Sequence, residues 1–143
     1  MGEPRSADAM RLRPRRVVNG DNQFFWDGVD DGQLLIQRCA DCQRLRHPAR
    51  PMCPHCQSTR WDAVAASGDG TVFSYVVHHH PPLPGVTVPH VVATIDLSEG
   101  TRYVAQLVDV EPADVSIGMP VELTFVEFDP DLTLPVFRPA ARA

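Results

Sequence analysis

All four cysteines of the chain lie in one short stretch, as two C-x2-C pairs separated by ten residues. They are Cys39, Cys42, Cys53 and Cys56. Two such pairs bring four thiolates to the corners of a tetrahedron, the arrangement in which Zn²⁺ holds a fold together. Iron fits the same cage, but no neighbouring feature indicates electron transfer. The spacing therefore predicts zinc.

A metal with four sulfur ligands has no open coordination position, so it cannot activate water. It can instead fix a segment of fewer than 30 residues that has almost no core of its own, because metal binding supplies folding free energy. Residues 34–62 are therefore predicted to form a rubredoxin-like zinc ribbon with a structural metal.

A short helix is predicted just before this ribbon, in residues 19–33, with Gly32 suited to end it. Its aromatic residues Phe24, Phe25 and Trp26 are more than so short a helix can bury alone. Packing within the chain is the favoured outcome. Contact with another subunit is the alternative, which makes these three residues candidates for partner docking.

Five strand-like segments follow in residues 63–143 and are separated by short turns. Five strands in so short a stretch predict a small, nearly closed OB-fold barrel. The connection in residues 80–90 contains four prolines and predicts a protruding loop. The expected fold class is thus mainly β, comprising a short N-terminal helix, a zinc ribbon and a five-stranded barrel.

The charge of the chain is unevenly distributed. Residues 1–16 carry five arginines and two acidic residues, whereas the remaining residues carry eight arginines and sixteen acidic residues, a net charge of −8. An acidic folded part argues against nucleic-acid binding, which normally needs a basic face. Residues 1–18 are predicted to be a disordered, Arg-rich tail, with a docking arm or a transit peptide as alternatives.

The absence of lysine excludes lysine Schiff-base chemistry within the chain. No apolar run is long enough to predict a membrane span, and the first residues lack the apolar centre of a secretory signal. We therefore expect a cytoplasmic protein in which the thiols stay reduced and bind metal.

The histidines His78, His79, His80 and His90 flank the proline-rich connection. A second metal site there is conceivable, but neighbouring residues of a strand point to opposite faces, which favours separate buried and solvated histidines. The chain has no nucleophile elbow, phosphate loop or dinucleotide fingerprint. No catalytic residue is predicted.

Several segments together resemble a known family. They are FFWDGVDDGQLLIQRCADCQRLRHPARPMCPHC, SGDGTVFSYVVHH, PHVVATIDLSEGTRYVAQLVD, IGMPVELTF and TLPVFRPA. In this arrangement they resemble the acyl-CoA-associated proteins that combine an N-terminal helix, a rubredoxin-like zinc ribbon and a C-terminal OB-fold, long catalogued as a domain of unknown function. The resemblance covers about residues 20–139.

The resemblance implies a partner role. Members of this family accompany thiolase-like enzymes or are fused to enoyl-CoA-hydratase-like domains. One branch pairs with a thiolase-fold aldolase that cleaves the side chain of steroid CoA thioesters, and archaeal relatives bridge a thiolase and a hydroxymethylglutaryl-CoA synthase. Carried over to this chain, the four cysteines become the zinc ligands, and no catalytic residue is implied.

The expected function is a non-catalytic zinc-binding subunit that stabilises a thiolase-like partner and helps form its acyl-CoA site, with two copies flanking a partner dimer. Steroid side-chain retro-aldol cleavage, or related carbon–carbon bond chemistry of acyl-CoA, is the expected reaction. Arg102 and Arg138 are candidates for binding the phosphates of CoA. The alternatives are a single-stranded nucleic-acid-binding protein and an independent enzyme that uses the histidines.

Overall fold

The strands form two antiparallel sheets, which pack with one helix around a shared core. This computed structural model describes residues 13–141. The elements are helix α1 (Gln23–Asp30) and strands β1 (Leu35–Cys39), β2 (Leu45–Arg46), β3 (Trp61–Ala65), β4 (Asp69–His78), β5 (His90–Leu97), β6 (Arg102–Gln106), β7 (Pro120–Asp129) and β8 (Leu132–Pro139), with a short 3-10 helix at Pro112–Asp114. The predicted mainly-β fold class is confirmed.

Helix α1 is shorter than the predicted segment. Asn22 is its N-cap, although its side chain makes no capping hydrogen bond, and Gly32 follows the helix with a φ of 74°. Glycine adopts this left-handed conformation without the steric cost that a Cβ imposes, which explains why the helix ends here. Phe25 and Val29 are buried, so the face that contains them anchors the helix to the rest of the chain.

The ribbon is a three-stranded sheet in the order β2-β1-β3. The side chain of the buried Gln37 on β1 makes two hydrogen bonds to the backbone of Arg50: it donates to the carbonyl oxygen at 3.0 Å and accepts from the N–H at 2.8 Å. These bonds hold the segment between the cysteine pairs against β1. On the solvent side, Arg38 donates to Asp62 of β3 through Nε to Oδ1 at 2.8 Å and through Nη2 to Oδ2 at 2.7 Å.

The barrel contains the five remaining strands in the order β6-β5-β4-β7-β8. Its two edges meet where Leu107, just after β6, forms a parallel bridge with Phe137 on β8, and the Val108 N–H donates to the Phe137 carbonyl oxygen at 2.9 Å. This contact closes the sheet on itself and removes an exposed edge.

Only residues 66–68 separate the last ribbon strand from the first barrel strand. The Ala66 N–H donates to the Leu34 carbonyl oxygen on the ribbon side, and the Leu123 N–H donates to the Gly68 carbonyl oxygen on the barrel side, both at 2.8 Å. The connection is therefore hydrogen-bonded to both sheets.

The core is continuous between the helix, the ribbon and the barrel. Phe25 of α1 and Ile36 of β1 belong to the same buried cluster as Ile95, Tyr103 and Phe137 of the barrel. The centroid of the Tyr103 ring lies 6.2 Å from that of Phe25 and 6.3 Å from that of Phe137, so Tyr103 connects the helix to the interior of the barrel. Burial of these apolar side chains is the main source of stability for the barrel, and it holds the ribbon and the helix against the barrel.

The predicted disordered tail extends beyond the described residues, since residues 1–12 lie outside them. Residues 13–18 contain neither helix nor strand, yet their arginines contact the folded part. Arg15 Nη1 donates to Asp129 Oδ1 at 3.0 Å, and Arg16 Nη1 donates to Asp30 Oδ1 at 2.9 Å. The guanidinium carbon of Arg13 lies 3.8 Å from the centroid of the Phe128 ring. The excess positive charge of this segment thus meets acidic and aromatic groups of the folded part.

Within the described residues, the single α-helix is far too short to cross a bilayer.

We expect Phe137→Ala to lower the free energy of unfolding by about 3–5 kcal/mol, because it removes a fully buried ring at the point of barrel closure. Phe73→Ala is the matched control, since Phe73 is 45% exposed on the outer face of β4 and should cost less than about 1 kcal/mol. Denaturant unfolding of the zinc-loaded chain measures both. Equal losses would contradict this description of the core.

Candidate functional site

The four cysteines converge as their spacing predicts. Their sulfur atoms all lie within 4.8 Å of one another, with 3.5 Å between Cys39 and Cys56 and 3.6 Å between Cys42 and Cys53. Four ligands at a zinc–sulfur distance of about 2.3 Å would place tetrahedral sulfurs about 3.8 Å apart. The cage therefore fits Zn²⁺, and the zinc ribbon predicted from the sequence is confirmed.

The two cysteine turns are built in the same way. The Cys39 N–H donates to the Arg44 carbonyl oxygen and the Cys53 N–H donates to the Ser58 carbonyl oxygen, both at 2.9 Å. Gln43 and Gln57, each directly after the second cysteine of its pair, have φ values of 67° and 65°. A left-handed residue at each of these positions turns the backbone so that both sulfurs face the same point.

Backbone donors favour the anionic form of two of the four sulfurs, Cys39 and Cys53, whereas the pKa of Cys42 and of Cys56 is raised. The Cys42 N–H points at Cys39 Sγ at 3.5 Å, and this hydrogen bond is the largest of the contributions that lower the pKa of Cys39 to about 6. The pKa of Cys53 is also lowered, mainly by the Cys56 backbone N–H. Zn²⁺ binds thiolates, so these donors favour the form that coordinates it. The ion supplies stability here, and the protein contributes all four ligands.

The histidines are only partly brought together. His78 and His90 are direct cross-strand partners on β4 and β5. His78 Nε2 lies 2.7 Å from the Pro81 carbonyl oxygen, and burial lowers the pKa of His90, with smaller contributions from Arg13 and His78. Within residues 13–141, the cysteine cage is the only group of three or more candidate metal ligands that converge.

The three aromatic residues of α1 have different environments. Phe25 is only 8% exposed and belongs to the core, so packing within the chain accounts for it. Phe24 and Trp26 are partly buried; the Phe24 ring packs 4.8 Å from that of Trp61. These two residues remain the exposed part of the predicted docking face.

A cavity of about 260 Å³ opens beside these aromatic residues, between α1, His47 of the ribbon and Tyr103 of the barrel. Burial lowers the pKa of His47 and raises that of Tyr103. Both side chains are therefore uncharged at neutral pH, and the cavity wall is largely apolar.

The two arginines proposed for CoA binding are not in the same place. Arg138 on β8 donates through Nε to Glu122 Oε1 at 2.9 Å. Arg102 on β6 donates through Nε to Asp96 Oδ1 at 2.7 Å and stacks on Phe73, with its guanidinium carbon 3.6 Å from the ring centroid. Each arginine thus has a carboxylate partner. Arg102 lines the cleft between ribbon and barrel, whereas Arg138 does not.

The cleft between the ribbon and the barrel has a volume of about 510 Å³ and a basic lining, which was not predicted from the sequence. Arg46 and Arg50 of the ribbon line it together with Arg102. The run RLRHPAR holds the ribbon arginines, and strand alternation at β2 is the signal that could have placed Arg46 inside.

The chain matches two family models in succession. Residues 26–62 match the ChsH2 rubredoxin-like zinc ribbon domain, and residues 63–126 match the ChsH2 C-terminal OB-fold domain. The two matches meet between Asp62 and Ala63, within β3. They agree with the ribbon and the barrel that the structure shows.

Curated relatives fall into two groups. The chain is 55% identical to a probable enoyl-CoA hydratase alpha subunit of Thermomonospora curvata and 48% identical to the 3-oxo-4,17-pregnadiene-20-carboxyl-CoA hydratase alpha subunit of Mycobacterium tuberculosis, over 90% and 92% of this chain. It spans only 40% and 41% of those proteins. It is also 38% identical to a DUF35 domain-containing scaffold protein of Methanocaldococcus jannaschii, over 80% of this chain and 79% of that protein.

One solved structure is similar over nearly the whole fold. A chain of the Ltp2-ChsH2(DUF35) aldolase superposes with a TM-score of 0.86 at 54% sequence identity, which covers 89% of this chain and 100% of that one. The similarity includes the cysteine ribbon, the barrel and their junction.

We expect Cys53→Ser to abolish stoichiometric zinc binding, because it removes one of four ligands from a cage that has no replacement for it. His55→Ala is the matched control: His55 lies within the same cysteine pair but outside the cage, so this variant should keep one zinc per chain. Metal analysis of the purified variants gives the ratio. Loss of zinc in His55→Ala would show that histidine is a ligand.

Proposed function

Because the chain belongs to the DUF35 family, in its ChsH2 branch of zinc-ribbon and OB-fold proteins, we propose that it is a non-catalytic subunit of an acyl-CoA-processing enzyme. It binds and stabilises a thiolase-like partner and helps form the acyl-CoA site of that partner. The bond-breaking chemistry belongs to the partner's residues.

The observation that carries this proposal is the similarity to a chain of the Ltp2-ChsH2(DUF35) aldolase. The similarity covers 100% of that chain. The fold that this protein shares with it is therefore the fold that belongs to an aldolase in that structure. The name scaffold protein, given to the archaeal relative, supports the same kind of role.

The sulfur cage is consistent with a supporting role. Four cysteines fill the coordination sphere of a tetrahedral ion, so the metal has no position for a substrate or a water molecule. Among the described residues, the histidine pair of β4 and β5 has neither a nucleophile nor a carboxylate hydrogen-bonded to it. Catalysis by this chain alone would need a group of that kind.

The steroid CoA ester named for the Mycobacterium tuberculosis relative indicates the substrate class. We propose retro-aldol cleavage of a steroid side chain, or a closely related carbon–carbon bond reaction next to a thioester, as the activity of the complex. The hydratase activity in that relative's name is not carried over, because this chain matches only 41% of it.

The negative charge argues against the alternative of single-stranded nucleic-acid binding. The chain carries a net charge of −5, and five of its thirteen arginines lie in residues 1–16, which leaves the barrel and ribbon acidic. A backbone-tracking groove normally requires the opposite sign.

Co-expression with a candidate thiolase-like partner tests the proposal. We expect a stable complex of both chains, a higher soluble yield of the partner, and cleavage of a steroid CoA thioester by the complex but not by this chain alone. Size-exclusion chromatography with light scattering measures the assembly and its copy number. If the partner gains neither solubility nor activity, the proposal fails.

Phe24→Ala tests the docking face. We expect it to weaken partner binding by about tenfold, because partly exposed aromatic residues often dominate interfaces. Val76→Ala, which shortens a side chain that is 63% exposed on β4, serves as the control and should leave binding unchanged. Titration calorimetry compares the two variants, and equal affinities would remove α1 from the interface.

A further inference from the structure

The cleft between the ribbon and the barrel contains a buried arginine whose hydrogen-bonding capacity is largely unused. Arg46 is only 7% exposed, and its Nη2 donates to the Arg50 carbonyl oxygen at 3.0 Å. Its Nε and Nη1 are buried without a hydrogen-bond partner. A buried guanidinium group favours partners for its charge and its donors, so Nε and Nη1 are available to an acceptor oxygen that enters the cleft.

Two further arginines and a hydroxyl group line the same cleft. Arg50 and Arg102 contribute positive charge from the ribbon and the barrel, and Thr101 adds a buried Oγ1 that also has no partner. Among residues 13–141, Asp96 is the only carboxylate lining the cleft, and it accepts from Arg102 Nε. Three arginines against one aspartate leave a net charge of +2 at this place.

This positive charge stands out because the folded part of the chain is acidic. Ribbon and barrel each contribute to it, so it exists only where the two meet. Planar guanidinium groups with a hydroxyl donor suit the oxygen atoms of a tetrahedral anion, and arginine is well suited to bind phosphate through paired hydrogen bonds.

We propose that this cleft is a binding site for a phosphate group, formed by Arg46, Arg50, Thr101 and Arg102. Arg46 forms its floor, since it is already held by the Arg50 carbonyl. Arg50 and Arg102 are exposed at the two sides, where their side chains can close on a ligand.

The neighbouring apolar cavity suggests what the phosphate is attached to. His47 and Pro48 line both the basic cleft and the aromatic cavity beside Phe24 and Tyr103. A ligand with a flat ring and a phosphate could occupy both at once, and a nucleotide has this form. If the proposed function is correct, the nucleotide end of CoA is the physiological source; only this last step rests on that function.

Calorimetric titration of the zinc-loaded chain with inorganic pyrophosphate at low ionic strength tests the site. We expect saturable binding that Arg50→Gln weakens by about tenfold. Arg60→Gln is the matched control, because it removes the charge of a ribbon arginine outside the cleft. Zinc content measured before and after the titration shows that the probe has not removed the metal.

A variant that removes a negative charge from the cleft distinguishes phosphate binding from a purely structural role of these residues. Asp96→Asn removes the negative charge of Asp96 from the cleft, so it should tighten pyrophosphate binding severalfold, whereas Arg50→Gln weakens it. Arg50 and Asp96 are both accessible to solvent, so we expect both variants to fold. The test therefore does not depend on a substitution of the buried Arg46, such as Arg46→Gln, which can fail to fold. No binding, or binding that neither variant changes, overturns the proposal.

CoA is then added as a competitor. Displacement of pyrophosphate by CoA supports the site and identifies its source. If pyrophosphate binds in the cleft and CoA does not compete for it, the phosphate site stands and its assignment to the nucleotide end of CoA fails. If CoA supports the activity of the complex but pyrophosphate never binds, the phosphate site fails alone.

Discussion

The convergence of four sulfur atoms within 4.8 Å is the constraint on which the ribbon depends. The segment from Cys39 to Arg60 has few buried side chains, and Cys39 and Cys53 are among them. Without an ion, four thiolates at this distance would repel one another. A bound metal reverses the sign of that interaction and makes it the main attraction in the segment. The ribbon is thus held by coordination, whereas the barrel is held by apolar packing.

The position of the ribbon on the barrel follows from the shared core. Tyr103 and Phe25 bring α1 and β6 together, and Ile36 extends the same packing into β1. This docking places β2 opposite the turn between β5 and β6, so that Arg46 and Arg102 line one cleft. Neither arginine is close to the other in sequence. Their common environment is a product of the packing, and it would be lost if the two parts separated.

Most of the fold could be predicted from the sequence, because it depends on local patterns. Cysteine spacing specified the cage, and alternating strands with short turns specified the barrel. The groups that Phe25 and Arg46 contact could not be read in this way, since they depend on which distant strand covers each residue. The contacts of Arg15 and Arg16 were missed for the same reason: their acidic partners, Asp129 and Asp30, become neighbours only after folding. The identity of a partner protein is not encoded in any local pattern of this chain.

The three-residue connection between ribbon and barrel is hydrogen-bonded on both sides by Ala66 and Gly68. It therefore has no slack with which to act as a hinge. Rotation of one part against the other would break these bonds and pull Phe25 and Ile36 away from the barrel. Any molecule that associates with both parts meets a preset shape and loses little conformational entropy to order them. Affinity and specificity then depend on complementarity to one arrangement.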